Sequence, residues 1–318
     1  MSDDTRQSPV VSVVIPSYKR AASVVGSVES ALAQTFRDIE VIVVDDASRD
    51  GTADLVRAID DERVVLFEHE RNLGANAARA TGIKGASGEW VAFLDSDDAW
   101  LPQKLERQLA LLEGLGEEYG LCTTWLTIVG PEGEFLKNVE PAVEGDVFEI
   151  LQCSNPLGSF SSAVIRRETL VRAGGVNVEL PACQDWDVFA RVSRIAKVCV
   201  VREHLLIYRA DPRDPRRITT SNEKVVRGLR HMYTNMCERE PDLSRRIRRT
   251  GTRYFAEKFA NEGAVGDVAR VAAGAIGSGQ LGEAPFVSHM LLRSIRKAVR
   301  AANAAQAEVP RNVSAQGA

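Results

Sequence analysis

Three aspartates lie within four residues in the segment Asp95-Ser96-Asp97-Asp98, directly after the apolar run 90–94. Carboxylates this close repel one another, so burying them requires a cation or strong hydrogen-bond donors. Hard oxygen ligands suit magnesium or manganese, which keep coordination positions open for phosphate oxygens. An isolated D-x-D segment is also typical of an exposed acidic turn or a helix cap, and alone it does not decide between these roles.

A second acidic pair, Asp45-Asp46, follows the apolar run 39–44, and Asp50-Gly51-Thr52 opens the next predicted helix with Thr52 as its cap. Aspartates after a buried strand can accept from a base N–H or a ribose hydroxyl, and a helix N-terminus attracts anions. Asp and Ser also favour capping turns, which leaves a structural role open. A phosphoacceptor receiver domain is disfavoured, because no lone aspartate and late lysine follow at the expected places.

A third acidic segment, Gln184-Asp185-Trp186-Asp187, precedes a helical pattern whose apolar residues include Val188 and Phe189. Either carboxylate can cap that helix or act as a base. The four histidines have no spacing typical of metal ligands, which favours surface or core roles for them.

The elements that must position these groups alternate between short apolar strands and amphipathic helices. Predicted strands occupy 10–15, 39–44, 63–67 and 90–94, then 122–129, 164–166, 198–202 and 205–208. Predicted helices occupy 23–35, 52–59, 76–84, 102–115 and 186–195. Such alternation indicates a parallel sheet covered on both faces, with the ligand crevice at the carboxyl ends of the strands.

The composition is that of a folded, soluble protein: 318 residues, of which 44% are hydrophobic. The five cysteines form no C-x-x-C pair, and neither a secretory signal nor an apolar run of membrane-spanning length is evident. A cytoplasmic location is therefore expected. No nucleic-acid partner is expected.

The organisation predicted along the chain is a disordered N-terminus at 1–9, a catalytic domain at 10–210, a polar linker at 211–222, a helical region at 223–308 and a disordered tail at 309–318. Residues 1–210 carry a net charge of −12, whereas 211–318 carry +8. A basic tail after an acidic body is typical of attraction to anionic surfaces, although an ordinary solvated helical surface has the same composition.

Four segments together resemble family 2 glycosyltransferases with a GT-A fold, in both order and spacing. They are Ile15-Pro16-Ser17-Tyr18-Lys19-Arg20, Val44-Asp45-Asp46-Ala47-Ser48-Arg49-Asp50-Gly51-Thr52, Arg71-Asn72-Leu73-Gly74 and Leu94-Asp95-Ser96-Asp97-Asp98. The resemblance covers roughly residues 10–210. It implies an α/β fold with a Rossmann-like mixed sheet, followed here by a C-terminal α-helical appendage.

The resemblance also implies roles for individual residues. Asp97 would hold a divalent metal, Mn²⁺ or Mg²⁺, that bridges the donor diphosphate, and Asp95 would contact the donor ribose or sugar. The nucleotide would be bound by Pro16, Ser17, Tyr18, Asp46, Arg71, Asn72, Gly74, Asp95 and Ser96. The donor is a nucleotide-diphospho-sugar, with uridine the default base and guanosine and deoxythymidine open.

On the acceptor side, the resemblance gives Asp185 the role of general base in an inverting transfer to a glycan or lipid-linked hydroxyl. Gln184 stands where the family usually has an acidic residue. Supporting or acceptor-side roles fall to Asp98, Gly158, Asp187 and Arg209, and Asp187 is equally explained as a structural residue. Because many acceptors of this family are lipid-linked, peripheral association of the basic tail with an anionic membrane is a further expectation.

Two other functions use similar elements. A sugar-phosphate nucleotidyltransferase also has metal-binding aspartates on an α/β sheet, but it usually has a glycine-rich basic loop where this chain has Pro16–Arg20. A non-catalytic nucleotide-sugar-binding protein is disfavoured by the intact set of Asp95, Asp97 and Asp185.

Overall fold

The computed structural model describes residues 8–211, 213–214, 217, 222–262, 266, 269 and 288–297. The chain divides into two compact units, Met1–Met232 and Tyr233–Ala318. The first unit extends beyond the predicted linker at 211–222 and includes the first half of a long helix. The predicted limits of the catalytic domain remain a prediction. The predicted disorder of both termini, and the helix predicted at 264–278 apart from two residues, fall outside the described part.

A mixed sheet forms the centre of the first unit, and its nine strands within the described residues follow the order β3-β2-β1-β4-β8-β6-β9-β5, with β7 beside β6. The strands are β1 Val11–Ser17, β2 Ile39–Asp45, β3 Val64–Glu68, β4 Trp90–Phe93, β5 Ala99–Trp100, β6 Tyr119–Val129, β7 Phe135–Val139, β8 Val164–Arg166 and β9 Lys197–Arg209.

In the sequence, the first three α-helices connect the parallel strands β1 to β4, and the remaining ones lie between later strands or after β9. They are α1 Val24–Leu32, α2 Thr52–Arg57, α3 Ala75–Gly85, α4 Lys104–Leu115, α5 Phe148–Leu151, α6 Arg167–Arg172, α7 Gln184–Val192, α8 Asn222–Arg239 and α9 Ser244–Glu262.

The first four strands are parallel and confirm the alternating pattern of the sequence. Helices cover both faces of the sheet, so apolar, largely β-branched side chains occupy both faces of these strands. β1 is buried at every position. The pairing of Ser17 with Asp45 aligns the ends of β1 and β2. The segments that follow β1, β2 and β4 therefore leave the sheet at the same end of the parallel strands.

The second half of the sheet contains antiparallel pairs, so the sheet is mixed, as the resemblance implies, whereas the alternating pattern alone indicates a parallel sheet. β8 runs antiparallel to both β4 and β6, and β5 runs antiparallel to β9. The two strands predicted at 198–202 and 205–208 are one continuous strand, β9. The register of β9 shifts against β6 at Thr124 and Trp125, and the strand continues through the polar residues 202–204.

Two local predictions about helix starts are wrong. Thr52 is the first residue of α2 rather than its cap, and the Asp50 carboxylate accepts hydrogen bonds from the Thr52 N–H at 3.1 Å and from its hydroxyl at 2.5 Å. Pro102 precedes α4, which starts at Lys104, and the Pro102 carbonyl accepts a hydrogen bond from the Thr35 N–H at 2.8 Å.

Two glycines allow helices to pack closely, one against the sheet and one against the turn before α7. A side chain at Gly82 in α3 would collide with Val14 in β1, so the absence of a Cβ lets that helix lie directly on the sheet. In α8, a Cβ at Gly228 would come within 2.7 Å of the Ala182 carbonyl oxygen, in the turn that leads into α7. The start of α8 therefore rests against the backbone before Asp185.

Within the described residues, no helix combines the length and the apolar character needed to cross a bilayer. Residues 288–297 are helical. None of the five cysteines forms a disulfide.

Lys104 is the one lysine side chain that the described residues bury completely. Its Nζ donates to Gln108 Oε1 at 2.8 Å and lies 4.0 Å from the centre of the Trp100 ring. Burial lowers the pKa of Lys104 to about 7, because removal from water disfavours the ammonium form. The folded chain therefore keeps a lysine that is largely neutral at alkaline pH.

We expect Lys104→Met to change how stability depends on pH. An unfolded lysine has a pKa of about 10.4, so between pH 7 and 10 the unfolded chain binds one more proton and wild-type stability rises with pH. Methionine removes this dependence, so the variant's relative stability should be greatest at or below pH 7 and decline by up to about 1.4 kcal/mol per pH unit above it. Denaturant titrations from pH 6 to 10 measure this slope. Lys84→Met, at an exposed lysine, is the control, and identical slopes in both variants would contradict a neutral buried Lys104.

Candidate functional site

The site lies at the carboxyl edge of the parallel strands, where the chain brings together the acidic segments predicted from the sequence. Arg20 after β1 contacts Asp97 after β4, and Asn72 after β3 donates to the Asp46 carbonyl at 3.4 Å. Asp185 on α7 lies close enough to Asp95 and Arg79 for their charges to affect its pKa. One edge of the sheet thus holds all three acidic segments.

An open cleft of about 590 Å³ lies at one end of this edge, between the turn after β1 and the turn after β2. Residues that line it include Tyr18, Lys19, Ser48, Arg49, Arg71 and Asn72. Three of the predicted nucleotide-binding side chains, Tyr18, Arg71 and Asn72, therefore border a single cleft. Lys19 and Arg49 were not assigned from the sequence, and they make its rim cationic.

The two turns that form the cleft have an unusual backbone. Lys19, Ala47 and Arg49 have φ values of 54°, 60° and 53°, in the left-handed region that side chains other than glycine rarely adopt. The Lys19 N–H donates to Ser48 Oγ at 2.8 Å, and the Arg20 N–H donates to Thr52 Oγ1 at 3.1 Å. Such strained positions cluster at functional sites, where surrounding contacts hold them.

Asp46 is buried and organises the loop after β3. Its carboxylate accepts hydrogen bonds from the Leu73 N–H at 2.8 Å and the Gly74 N–H at 2.7 Å, and it lies 2.8 Å from His69 Nδ1. The Asp46 N–H in turn donates to the Ser17 carbonyl at 2.8 Å. Asp46 therefore holds Gly74 and its neighbours beside the cleft, and direct contact of its carboxylate with a base remains a prediction.

Pro16, Ser17 and Ser96 are placed less directly. Pro16 is buried inside β1, and Ser17, the last residue of that strand, is also buried. Ser96 is buried between Asp95 and Asp97. The buried Ser17 hydroxyl has no hydrogen-bond partner within the described part of the chain, and the contacts of all three residues with a ligand remain predictions.

Asp95 pairs with an arginine that sequence reasoning missed. Arg79 on α3 is buried, donates to Asp95 Oδ1 at 2.5 Å, and stacks 4.6 Å from the centre of the Phe160 ring. The Asp95 N–H donates to Ser161 Oγ at 3.0 Å. A cation at a helix position that otherwise faces the core is the sequence signal that could have identified Arg79.

Asp97 faces the opening of the site and has two guanidinium partners. Arg20 Nη2 lies 3.1 Å and Arg217 Nη1 3.3 Å from the same oxygen, Oδ2. Burial and the Asp95 charge raise the pKa of Asp97, and the two arginines oppose that shift. Burial and Asp95 thus disfavour the ionised carboxylate, and the two arginine contacts favour it.

Asp98 is enclosed and serves as an anchor. Ser161 Oγ donates to its Oδ2 at 2.6 Å, the Arg209 N–H donates to its Oδ1 at 3.1 Å, and Ser27 Oγ donates to its carbonyl at 2.7 Å. Burial, with the charges of Asp97 and Asp95, raises the pKa of Asp98 well above its usual range. These contacts favour the supporting role predicted for Asp98, and Arg209 contributes its backbone while its side chain is exposed.

The two aspartates of α7 have different surroundings. Asp187 is buried and accepts from Arg191 Nε at 3.0 Å and Nη2 at 2.7 Å, which favours its structural alternative. Asp185 is half-buried and accepts from the Trp186 N–H at 2.7 Å. Burial raises the pKa of Asp185 to about 6; the Trp186 N–H and Arg79 oppose this, and Asp95 adds to it. Asp185 is therefore the carboxylate suited to proton transfer near neutral pH.

The predicted acceptor-side turn lies before the short 3-10 helix Phe160–Ser162. Gly158 has a φ of 96°, and its carbonyl accepts from Asn155 Nδ2 at 2.9 Å. A residue with a side chain would be strained there. The turn places Ser161 between Asp95 and Asp98, a role that the sequence did not reveal although it singled out this segment.

The site offers few protein ligands for a metal. Within the described residues, no three His, Cys, Asp or Glu side chains cluster to hold one. The Arg79 contact falls on Asp95 Oδ1, and the Arg20 and Arg217 contacts fall on Asp97 Oδ2, so the opposite oxygens, Asp95 Oδ2 and Asp97 Oδ1, are not used in these ion pairs. Two open carboxylate oxygens fit a hard divalent cation that takes its other ligands from phosphate and water.

Comparison with known proteins identifies the family that the sequence matches. Residues 12–169 match the family model described as Glycosyl transferase family 2. The succinoglycan biosynthesis protein ExoO of Rhizobium meliloti (strain 1021) is 37% identical over 160 residues, which cover 50% of this chain and 44% of the relative. The Escherichia coli UDP-Glc:alpha-D-GlcNAc-diphosphoundecaprenol beta-1,3-glucosyltransferase WfaP is 39% identical over 104 residues, 33% of this chain and 41% of the relative. The matched segments thus span less than half the length of either relative.

A solved structure supports the fold. The mannosyltransferase PcManGT from Pyrobaculum calidifontis, in complex with GDP-Man and Mn²⁺, matches with a TM-score of 0.59 at 21% identity, over 95% of this chain and 85% of that one. Likeness at this identity concerns the fold, and the GT-A architecture expected from the sequence is confirmed.

We expect Asp46→Ala to release the loop after β3, because Leu73 and Gly74 lose the acceptor for their N–H groups. Hydrogen–deuterium exchange of peptides covering residues 69–76 should become faster, while peptides from β1 stay protected. Asp38→Ala, at an exposed aspartate, is the matched control. Unchanged exchange in the Asp46 variant would show that other contacts hold the loop.

Proposed function

Since residues 12–169 belong to glycosyl transferase family 2, we propose that the chain is an inverting glycosyltransferase, which moves a sugar from a nucleotide-diphospho-sugar to an acceptor hydroxyl. The observation that carries this proposal is Asp185, a carboxyl with a pKa of about 6 within electrostatic reach of Asp95 and Arg79. It supplies a base beside the edge where the nucleotide cleft and the D-x-D segment meet.

The donor's nucleoside occupies the cleft bordered by Tyr18, Arg71 and Asn72. Its base stacks on an aromatic or guanidinium face, and the diphosphate extends along the edge toward Asp95 and Asp97. A UDP-sugar is the default donor, which agrees with the donor in the name of WfaP. Asp46 acts through the Leu73–Gly74 backbone that it holds.

Asp97, with Asp95 close by, would hold a divalent cation, Mn²⁺ or Mg²⁺. Such a cation would supply positive charge against the negative charge that develops on the departing nucleoside diphosphate. The Mn²⁺ in the PcManGT complex supports this choice. Arg79 holds Asp95 in a fixed orientation through the 2.5 Å hydrogen bond to its Oδ1.

Asp185 accepts the proton of the acceptor hydroxyl as that oxygen attacks the anomeric carbon. The bond from the anomeric carbon to the phosphate oxygen breaks, and its electron pair leaves with the diphosphate, so the anomeric configuration inverts. General-base catalysis of this type contributes roughly 10²–10⁴-fold to the rate. The acceptor is a glycan, polysaccharide or lipid-linked sugar, in keeping with the polysaccharide-related names of the relatives.

A donor panel tests the proposal as a whole. The purified chain is incubated with UDP-, GDP- and dTDP-sugars, Mn²⁺, and either water or a lipid-diphosphate-linked sugar as acceptor. Release of a nucleoside diphosphate with transfer of the sugar is the expected result. Synthesis of a nucleotide-sugar from a sugar phosphate and nucleoside triphosphate, with release of pyrophosphate, would establish a nucleotidyltransferase instead.

We expect Asp97→Ala to abolish the gain in UDP affinity that Mn²⁺ gives the wild type, because the variant lacks the carboxylate between metal and protein. The loss should exceed the roughly 10–100-fold that removal of an outer-shell partner of a metal causes. Titration calorimetry with and without Mn²⁺ measures it, with Asp38→Ala as control. Equal affinity for UDP of Asp97→Ala and wild type in Mn²⁺ would show that Asp97 does not bind the metal.

Asp185→Asn should fold and bind UDP normally yet lose transfer by roughly 10²–10⁴-fold, since an amide cannot accept the proton. In the wild type, transfer should fall as pH drops through about 6, because the base becomes protonated. Single-turnover rates between pH 5 and 8 test both statements. Near-normal turnover of the variant would reassign the base, with Asp187 the next carboxylate to examine.

Peripheral membrane association remains part of the proposal. In the helix at 288–297, Leu292 and Ile295 are 54% and 40% exposed, and Arg293, Arg296 and Lys297 are exposed beside them. Such a mixture is typical of a helix that lies on an anionic surface, where each basic residue contributes about 1 kcal/mol. This surface would bring the enzyme to a lipid-linked acceptor.

Vesicle co-sedimentation tests this association. We expect binding to phosphatidylserine vesicles at low salt and release at high salt, because ions screen the attraction. The variant with Arg293, Arg296 and Lys297 changed to Gln should lose binding. The control changes three exposed basic residues of the first unit, Lys84, Arg107 and Arg172, to Gln. Absence of binding at every salt concentration would leave the helix as an ordinary part of the C-terminal region.

A further inference from the structure

Two arginines from distant parts of the chain meet at the carboxylate assigned to the metal. Arg20 follows β1 and Arg217 follows β9, and their guanidinium groups lie 3.1 and 3.3 Å from Asp97 Oδ2. Both side chains are largely buried, with 13% and 11% of their surface exposed. We refer to Arg20 and Arg217 as the arginine pair.

Each member of the arginine pair has further partners that keep it at the site. Arg20 Nη1 donates to Asp214 Oδ2 at 2.6 Å. Arg217 Nη2 donates to the Tyr208 hydroxyl at 2.6 Å, and its Nη1 also donates to the Arg209 carbonyl. These contacts hold the two guanidinium groups beside Asp97 independently of their contact with its oxygen.

The arginine pair and a divalent cation have conflicting requirements. Both need negative charge from Asp97, and two positive guanidinium groups this close to the carboxylate repel an approaching metal. A diphosphate resolves the conflict, because it supplies oxygens that a guanidinium binds as a fork and that a metal also binds. The open oxygen of Asp97, Oδ1, is available to the metal once Oδ2 is released.

We propose that the arginine pair couples metal binding to diphosphate binding: it occupies Asp97 when the site is free and moves onto the diphosphate when the donor binds, which releases Asp97 to the metal. This inference rests on the proposed function. It assigns Arg20 and Arg217 as diphosphate-binding residues and adds a consequence for the free enzyme. Metal without nucleotide binds poorly, and each ligand raises the affinity of the other by the same factor.

This coupling disfavours metal binding to the enzyme when no donor is bound. A metal bound without donor would leave the arginine pair without its carboxylate partner at the opening of the site. With the coupling, the complete electrostatic environment for the leaving group assembles only around a nucleoside diphosphate, in which the pair and the metal share the same phosphate charge.

Binding of Mn²⁺ alone tests the coupling, measured by electron paramagnetic resonance of free Mn²⁺ with and without UDP. In the wild type, we expect UDP to tighten Mn²⁺ binding by about fivefold or more, the lower range of typical coupling. Arg217→Gln and Arg20→Gln should each bind Mn²⁺ more tightly than wild type in the absence of UDP, bind UDP more weakly, and show a smaller coupling factor.

Three further variants make the result specific. Arg213→Gln, at an exposed arginine of the same segment that contacts Asp211, should match the wild type. Arg217→Lys keeps the charge and loses the fork, so it should still exclude Mn²⁺ while UDP binding weakens. Asp97→Ala should lose Mn²⁺ binding altogether. Thermal melting identifies any variant that does not fold, and the remaining arginine variant then carries the test.

The outcomes separate this inference from the proposed function. If Arg217→Gln weakens UDP binding and leaves Mn²⁺ binding without UDP unchanged or weaker, the arginines are phosphate ligands only and the coupling is refuted, while the glycosyltransferase proposal stands. If Asp97→Ala binds Mn²⁺ as tightly as the wild type, the metal assignment itself fails. Tighter Mn²⁺ binding in both arginine variants, with reduced coupling, supports the inference.

Discussion

Repulsion among Asp95, Asp97 and Asp98 is the constraint on which the arrangement of this site depends. Three carboxylates at the end of one strand cannot all be ionised and buried without partners. The fold supplies a different partner to each: Arg79 to Asp95, the arginine pair to Asp97, and the Ser161 hydroxyl with the Arg209 N–H to Asp98. Much of the surrounding structure positions these partners at the end of β4.

The different partners give neighbouring carboxylates different chemistry. Asp98 is enclosed by hydrogen bonds, so it connects the segment after β4 to β9 and to the turn that holds Ser161. Asp97 pairs with two arginines through one oxygen and is 20% exposed. Asp185 is separate from this cluster and has a pKa raised mainly by burial. In the proposed function these surroundings correspond to an anchor at Asp98, an oriented contact at Asp95, a metal ligand at Asp97 and a base at Asp185.

The sequence predicted the first half of the fold well, because β1, β2 and β4 are almost entirely buried and appear as continuous apolar runs. Asp95 and Asp97 were also recognisable as candidates, since their place directly after a strand is a local property, and so was Asp185 at the start of a predicted helix. The antiparallel entry of β8 was not predictable, because a three-residue strand has no periodicity of its own. The arginines that pair with these carboxylates were equally unpredictable. Arg79 lies on a helix and Arg217 beyond the last strand, and only tertiary packing shows which carboxylate each one contacts.

The close approach of Gly228 to Ala182 limits how this chain can be recombined with others. Gly228 belongs to α8, which follows the sheet in the sequence, yet its backbone rests against the turn before Asp185. Cys183 in that turn already holds a left-handed conformation, with a φ of 60°, so the turn has little freedom to yield to a larger residue. A chimera joined within the polar stretch at 211–222 would keep every strand and lose this fit. The natural junction for exchanging C-terminal regions between such enzymes therefore falls beyond the first half of α8.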